Sequence, residues 1–234
     1  MKKEVEKLLQ YVQKPARYIG GELNAVVKDK DKIDIRYAFC FPDTYEIGMS
    51  HLGMKILYGL VNNREDSWCE RVFAPDNDME EQLRKNNVPL FALESGDYIK
   101  DFDMIGFTLQ YELSYTNVLN MLNLAQIPLK SSDRENLTPL ICVGGPCACN
   151  PEPITDFVDI VFLGDGEETT NQVIDLLIDC KKKGISKKKF LLKAKDITGI
   201  YVPSFYEDSY NEDGTLKELK PLYGAPEKVK KAVV

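Results

Sequence analysis

The chain is poor in the groups that most enzyme signatures need. Among 234 residues there is one histidine, His51, and no serine sits in a G-x-S-x-G elbow, so a nucleophilic triad is hard to build. Neither G-x-x-x-x-G-K-S/T nor G-x-G-x-x-G follows the first predicted strand, which removes the phosphate-loop and dinucleotide signatures. No apolar run approaches the roughly 20 residues that span a bilayer. The N-terminal MKKEVEKLLQYVQK lacks the apolar centre and small-residue cleavage site of a signal peptide. A basic excess is missing too: 30 Lys and Arg stand against 37 Asp and Glu, a net charge of −7, which leaves no broad footprint for nucleic acid. Six cysteines in a chain of this length, several at strand-like positions, read as reduced thiols rather than a disulfide framework. A soluble, cytoplasmic protein is expected, with no membrane partner.

What is present is most concentrated between Pro139 and Glu168. Leu140-Ile141-Cys142-Val143 is a short apolar run closed by Gly144-Gly145-Pro146, and Asp159-Ile160-Val161-Phe162-Leu163 is another closed by Gly164-Asp165-Gly166. Short apolar runs stopped by glycine suit strands covered on both faces of a parallel sheet, where ligands sit beyond the carboxyl ends. The two glycine turns are therefore expected side by side on one rim. Glycine there admits close approach to a bound group, and it serves equally well as a plain strand-to-helix turn.

Along the rest of the chain, strands and helices alternate. Val5, Leu8, Leu9 and Val12 give a lead-in helix that Pro15 stops. Strands are predicted at Ile33 to Phe41, Arg71 to Ala74, Asp103 to Leu109, Leu140 to Val143 and Asp159 to Leu163, with a minor one at Leu90 to Leu93. Helices are predicted at Gly48 to Asn62, with His51 inside it, and at Met79 to Asn86, Tyr115 to Ala125 and Glu167 to Cys180. This pattern predicts an α/β fold: an open, Rossmann-like, parallel five-stranded sheet with helices on both faces and a small C-terminal extension. The domain is placed at residues 30–182, after a lead-in over 1–29. Residues 183–234 are left for a lysine-rich helix, a hairpin and a linker. In that hairpin Tyr201 to Tyr206 pairs with Leu216 to Leu222, and the lysines between Lys181 and Lys195 read as a solvated face. Pro226 to Val234 ends without cap or stop and reads as a linker.

Several residues are candidates for chemistry. Cys142, Cys147 and Cys149 have the wrong spacing for a zinc or cluster site, and Cys142 falls within a packed strand. Glu167 and Glu168 are explained by the helix dipole, which leaves Asp165 in the turn as the better contact residue. Gln110 to Asn117 places amide, phenol and hydroxyl groups above a strand end. There Ser114 either lines a pocket or caps the next helix.

These segments also carry a resemblance. Lys14 to Glu22, Phe41-Pro42-Asp43-Thr44-Tyr45-Glu46-Ile47-Gly48-Met49-Ser50, Gln110 to Asn117, Gly144-Gly145-Pro146 and Gly164-Asp165-Gly166-Glu167-Glu168 together resemble the N-terminal part of an uncharacterised family of radical SAM proteins. Members carry a cobalamin-binding-like domain ahead of the iron–sulfur barrel. The resemblance covers nearly the whole chain in order. It implies a cofactor-binding or degenerate docking domain, whose partner is the radical SAM barrel of the same polypeptide. The C-x-x-x-C-x-x-C triplet of that barrel is absent here, so S-adenosylmethionine and the four-iron cluster are expected only in a following domain. D-x-H-x-x-G, the loop that binds cobalamin through histidine, is absent as well: His51 lies eight residues after Asp43, which leaves only a histidine-independent mode. Under that reading Asp43, Ser114, Thr116, Gly144, Gly145, Asp165, Gly166 and Glu167 line the cofactor pocket. Ser114 or Thr116 donates hydrogen bonds, and Gly144 and Gly145 admit the nucleotide tail. The rival readings are an interaction domain docking a macromolecular substrate, and a flavodoxin-like flavin domain that lacks the expected phosphate loop.

Overall fold

A computed structural model describes residues 2–233. Val234, where the linker reading ends, lies outside the described residues. The core is a six-stranded sheet in the order β2-β1-β3-β4-β5-β6. Its strands are β1 (Ile35–Phe41), β2 (Ser67–Phe73), β3 (Met104–Thr108), β4 (Leu140–Gly144), β5 (Ile160–Phe162) and β6 (Ile200–Tyr201). The first five run parallel and β6 pairs antiparallel with β5. The α/β class, the open parallel sheet and the small C-terminal hairpin all agree with the sequence reading.

Alternation along each strand divides the core in two. Ala38, Cys40, Ile105, Ile141, Val143 and Val161 face α1 (Lys3–Leu8), with α4 (Asn77–Asn86) and α5 (Tyr115–Leu124). Tyr37, Phe39, Met104, Leu140, Cys142, Ile160 and Phe162 face α3 (Leu52–Asn62), α6 (Glu167–Lys182) and α7 (Lys187–Ala194). Each buried Ile, Leu or Phe contributes about 1.5–3 kcal/mol, so both layers are needed. Local chemistry fixes the helix ends: Asp76 caps α4, and α6 opens on Glu167 and Glu168 and closes on Lys181 and Lys182, as its dipole favours.

Four expectations are corrected. The helix predicted from Gly48 to Asn62 is broken at His51, whose extended backbone separates α2 (Tyr45–Ser50) from α3. His51 is therefore not inside a helix. It caps α3, its Nδ1 accepting the Met54 N–H at 3.1 Å. The segment Tyr201 to Tyr206 is not a hairpin strand: Ile200, Tyr201, Val202 and Phe205 are buried, which draws Ile200 and Tyr201 into the main sheet. The hairpin is β7 (Tyr206–Tyr210) with β8 (Leu216–Pro221). Leu90 to Leu93 forms only an isolated bridge between Phe91 and Tyr98. Finally, Lys187 in the lysine run is buried, because its Nζ lies 2.6 Å from the Asp159 carboxylate.

Candidate functional site

The order β2-β1-β3-β4-β5 reverses direction between β1 and β3, the point at which open α/β sheets leave a crevice beyond the carboxyl ends of their strands. A crevice of about 310 Å³ lies there, between the sheet and the helices α3 and α6. Its floor is Tyr37, Phe39, Gly106 and Cys142, and Phe162, Ile56 and Leu57 wall it. Its mouth carries Gly144, Gly145, Asp165, Gly166, Glu167 and Thr170.

Gly106 makes the floor possible. A Cβ built there would fall 2.2 Å from Tyr37 Oη, so the phenol lies across β3 in space that only glycine leaves free. Burial pushes the Tyr37 hydroxyl well above its usual pKa and keeps it protonated, and burial does the same to the Cys142 thiol. Both are neutral groups rather than nucleophiles at neutral pH. The Cys142 thiol donates to Ile105 O at 3.5 Å.

A polar chain links the loops after β1 and β3. Because His51 Nδ1 accepts from Met54, its proton resides on Nε2, which donates to Gln110 Oε1 at 3.1 Å. Gln110 Nε2 in turn donates to Thr108 Oγ1 at 2.6 Å. Beside this chain, Asp43 accepts from Tyr111 Oη and from the Thr44 N–H, and Asn117 Nδ2 donates to Pro42 O at 2.9 Å. The hydrogen bond to Asp43 raises the Tyr111 pKa.

The eight residues singled out in the sequence thus fall into two groups. Gly144, Gly145, Asp165, Gly166 and Glu167 line the crevice together. Asp43 stands on the loop after β1, and Ser114 and Thr116 in the turn before α5 and in its first turn, where Ser114 Oγ donates to Tyr111 O and Thr116 Oγ1 to Leu113 O. Ser114 makes no side-chain cap to α5. Gly145 has a φ of 98°, and a Cβ there would meet Leu109 O at 2.8 Å, so the turn itself requires it. Tyr37, Phe39 and Thr170 were missed, because buried strand and helix residues look like ordinary core. The one available signal was Gly106, a glycine inside a strand. Among the described residues no cluster of three or more His, Cys, Asp or Glu side chains is placed to hold a metal.

With this geometry in view, comparison with known proteins is decisive at family level. A family model described as "Radical SAM proteins, N-terminal" matches residues 53–203, well over half of the chain. The chain belongs to this radical SAM N-terminal family. The matched region runs from α3 to the start of the C-terminal extension, and so takes in four of the five parallel strands, β2 to β5, three of which line the crevice. The chain is also similar to an uncharacterized protein of Methanocaldococcus jannaschii, MJ0966, with 27% identity over 194 residues. That similarity covers 77% of this chain but 37% of the relative, so the chain spans little more than a third of the relative's length. No solved structure matches it. Among the described residues, no helix of this radical SAM N-terminal domain is long and apolar enough to cross a membrane.

Proposed function

We propose that this domain is a docking module that sets its strand-end rim, and the ligand crevice opening on that rim, against the radical SAM catalytic domain of the same polypeptide. The observation that carries the proposal is the exposed apolar side chains around the rim, on the first turns of α2 and α3 and in the segment after β3. Leu113 is 83% exposed beside the exposed Tyr111 in the segment after β3, Leu52 is 68% exposed at the start of α3 with Ile56 exposed one turn on, and Ile47 is exposed on α2. Exposed apolar residues gathered around a crevice are what an interface needs. The C-terminal end of the domain joins this rim: Ala232 N–H donates to Leu163 O at 2.8 Å and accepts at its own carbonyl from Asp165 N–H at 3.0 Å. S-adenosylmethionine and the iron–sulfur cluster belong, on this reading, to the catalytic domain, since the C-x-x-x-C-x-x-C triplet is absent here.

Cobalamin held without histidine is the second reading, favoured by the glycine turns at the crevice mouth. The residues present do not fit it. The phosphate of its nucleotide tail would find no Lys or Arg lining the crevice and would face Asp165 and Glu167 instead. The same argument weighs against a flavin phosphate. The test of docking is to co-express this chain with the radical SAM catalytic domain and measure co-purification. Leu52→Glu with Leu113→Glu is expected to weaken the association at least tenfold; undiminished association would refute the assignment of the rim. Desalting after incubation with hydroxocobalamin is expected to leave a colourless protein, and a retained corrinoid spectrum would restore the second reading.

A further inference from the structure

Two hydroxyl groups in the crevice make no hydrogen bond among the described residues. Tyr37 is 5% exposed and lines the floor, and its Oη has no hydrogen-bond partner among the described residues. Thr170, on the first turns of α6, is also 5% exposed and lines the mouth, and its Oγ1 has no partner there either. Both hydroxyls open on the crevice from side chains that are otherwise buried, and a polar group aimed into a crevice without a partner inside the protein is placed to meet a ligand. A hydroxyl both donates and accepts, so each can meet either kind of edge on a heterocycle.

The surroundings narrow the class of ligand. Tyr37 and Phe39 stack on each other in the floor, with ring centroids 5.7 Å apart and an interplanar angle of 25°, and Phe162 and Leu57 rise beside this aromatic floor as apolar walls. Flat apolar walls with a few polar groups suit a planar heteroaromatic ring, which stacks on aromatic side chains whatever its identity. The size suits one base and a sugar: about 310 Å³ lies at the lower end of the roughly 300–1,000 Å³ typical of small-molecule sites. Charge at the mouth excludes the commoner form of such ligands. No Lys or Arg lines the crevice, whereas Asp165 and Glu167 do, and both would repel a phosphate. A carboxylate at the carboxyl end of a strand is, on the other hand, a good acceptor for sugar hydroxyls.

We infer that the crevice is a nucleoside site, taking a heteroaromatic base over Tyr37 and an unphosphorylated sugar at the carboxylate-lined mouth. The inference rests on the crevice being a ligand site and is independent of what docks on the rim. It adds the ligand class to the docking reading, and it opposes nucleotides, flavin phosphates and phosphate-linked cofactor tails alike.

The test is calorimetric titration of the protein with adenosine, guanosine, cytidine and uridine, and with the 5′-monophosphate of whichever binds. At least one nucleoside is expected to bind, and its monophosphate at least tenfold more weakly. Tyr37→Phe and Thr170→Val remove the two hydroxyls with little change of shape, and each is expected to weaken nucleoside binding several-fold while the thermal midpoint stays within a few degrees. Gly106→Ala forces the Tyr37 ring upward into the crevice and is expected to abolish binding. No binding by any of the four nucleosides, equal or tighter binding of the monophosphate, or unchanged affinity in both hydroxyl variants would overturn the inference. Loss of docking in Leu52→Glu with Leu113→Glu, with nucleoside affinity intact, would separate the two readings.

Discussion

Asp159 offers the sharpest test of how the sheet is held at the end opposite the crevice. Its side chain is fully buried at the start of β5, where Oδ1 lies 2.6 Å from Lys187 Nζ and 3.2 Å from Arg134 Nη2 and also receives Ser131 Oγ. Oδ2 accepts the Ile141 N–H at 2.8 Å, which ties β4 to the turn before β5. The substitution Asp159→Asn keeps the shape and removes the charge, so two buried cations lose their counter-ion. Removing one partner from a buried ion pair costs about 3–5 kcal/mol, because the other charge is left uncompensated. The carbonyls of Pro128, Leu129 and Phe157 still receive Arg134, and Arg134 O still receives Lys187, so a value near the lower bound is expected. With a urea slope of about 3 kcal/mol/M, the unfolding midpoint should fall by about 1 M. Adding Lys187→Met removes one stranded cation and should restore about half of the loss. A change under about 1 kcal/mol for Asp159→Asn, or no recovery in the double variant, would refute the view that this triad holds the β4–β5 end together.

Two further outcomes follow from named contacts. Gly164 has a φ of 95°, and a Cβ there would fall 2.1 Å from Ala232 O. The variant Gly164→Ala should therefore release residues 230–232 from the rim, read as faster amide exchange at Ala232 and Asp165 with the sheet core unchanged; equal exchange rates would contradict the pairing. Arg17 bridges Asp76 and Glu46, pinning the lead-in to α4 and α2, and its hydrogen bonds hold both carboxyls below their ordinary values. Because the folded values lie below the unfolded ones, this stabilisation is complete at neutral pH and is lost as pH falls through the unfolded values near 4 toward the folded ones. Protection of the amides of residues 15–18, taken relative to their intrinsic exchange at each pH, should fall below about pH 4 and lose that dependence in Arg17→Met, and protection unchanged with pH would count against the latch.

Glycine and proline make the sheet legible in the sequence. β3, β4 and β5 stand where apolar runs end in Thr108, Gly144 and Leu163-Gly164, within a residue or two of the prediction. β2 is only half visible, its predicted start falling at Arg71, because Ser67 and Glu70, like Arg71 itself, look like surface residues. All three are buried; Arg36 takes up Glu70, and Glu94 receives Arg71 Nε at 2.6 Å. Those partners lie more than 20 residues away in sequence, and no local pattern announces them. The hairpin was misplaced for a related reason: Ile200 to Phe205 has strand character in either role, and only its burial against β5 decides between them. At the site, turn glycines mark Gly144, Gly145 and Gly166 directly. Tyr37 and Thr170 differ from core residues only in having no partner, which is a property of the fold.

Charge is distributed unequally along the sheet, and this separates what stabilises the domain from what the crevice offers. At the amino ends of the strands, Lys181 Nζ reaches Asp103 and the Asp34 carbonyl, Lys182 reaches Asp34, Arg36 joins Glu70 and Asp97, and Arg134 and Lys187 share Asp159. At the carboxyl ends, the crevice is lined by apolar and polar side chains, His51 among them, and by two carboxylates, with no Lys or Arg. Since α6 runs from the crevice mouth down to Asp34 and Asp103, it is anchored electrostatically at its far end and leaves its first turn to carry Glu167 and Thr170. Changes at the mouth can therefore alter what is bound at little cost to folding, whereas changes at the ion-paired end should alter stability and leave ligand affinity alone.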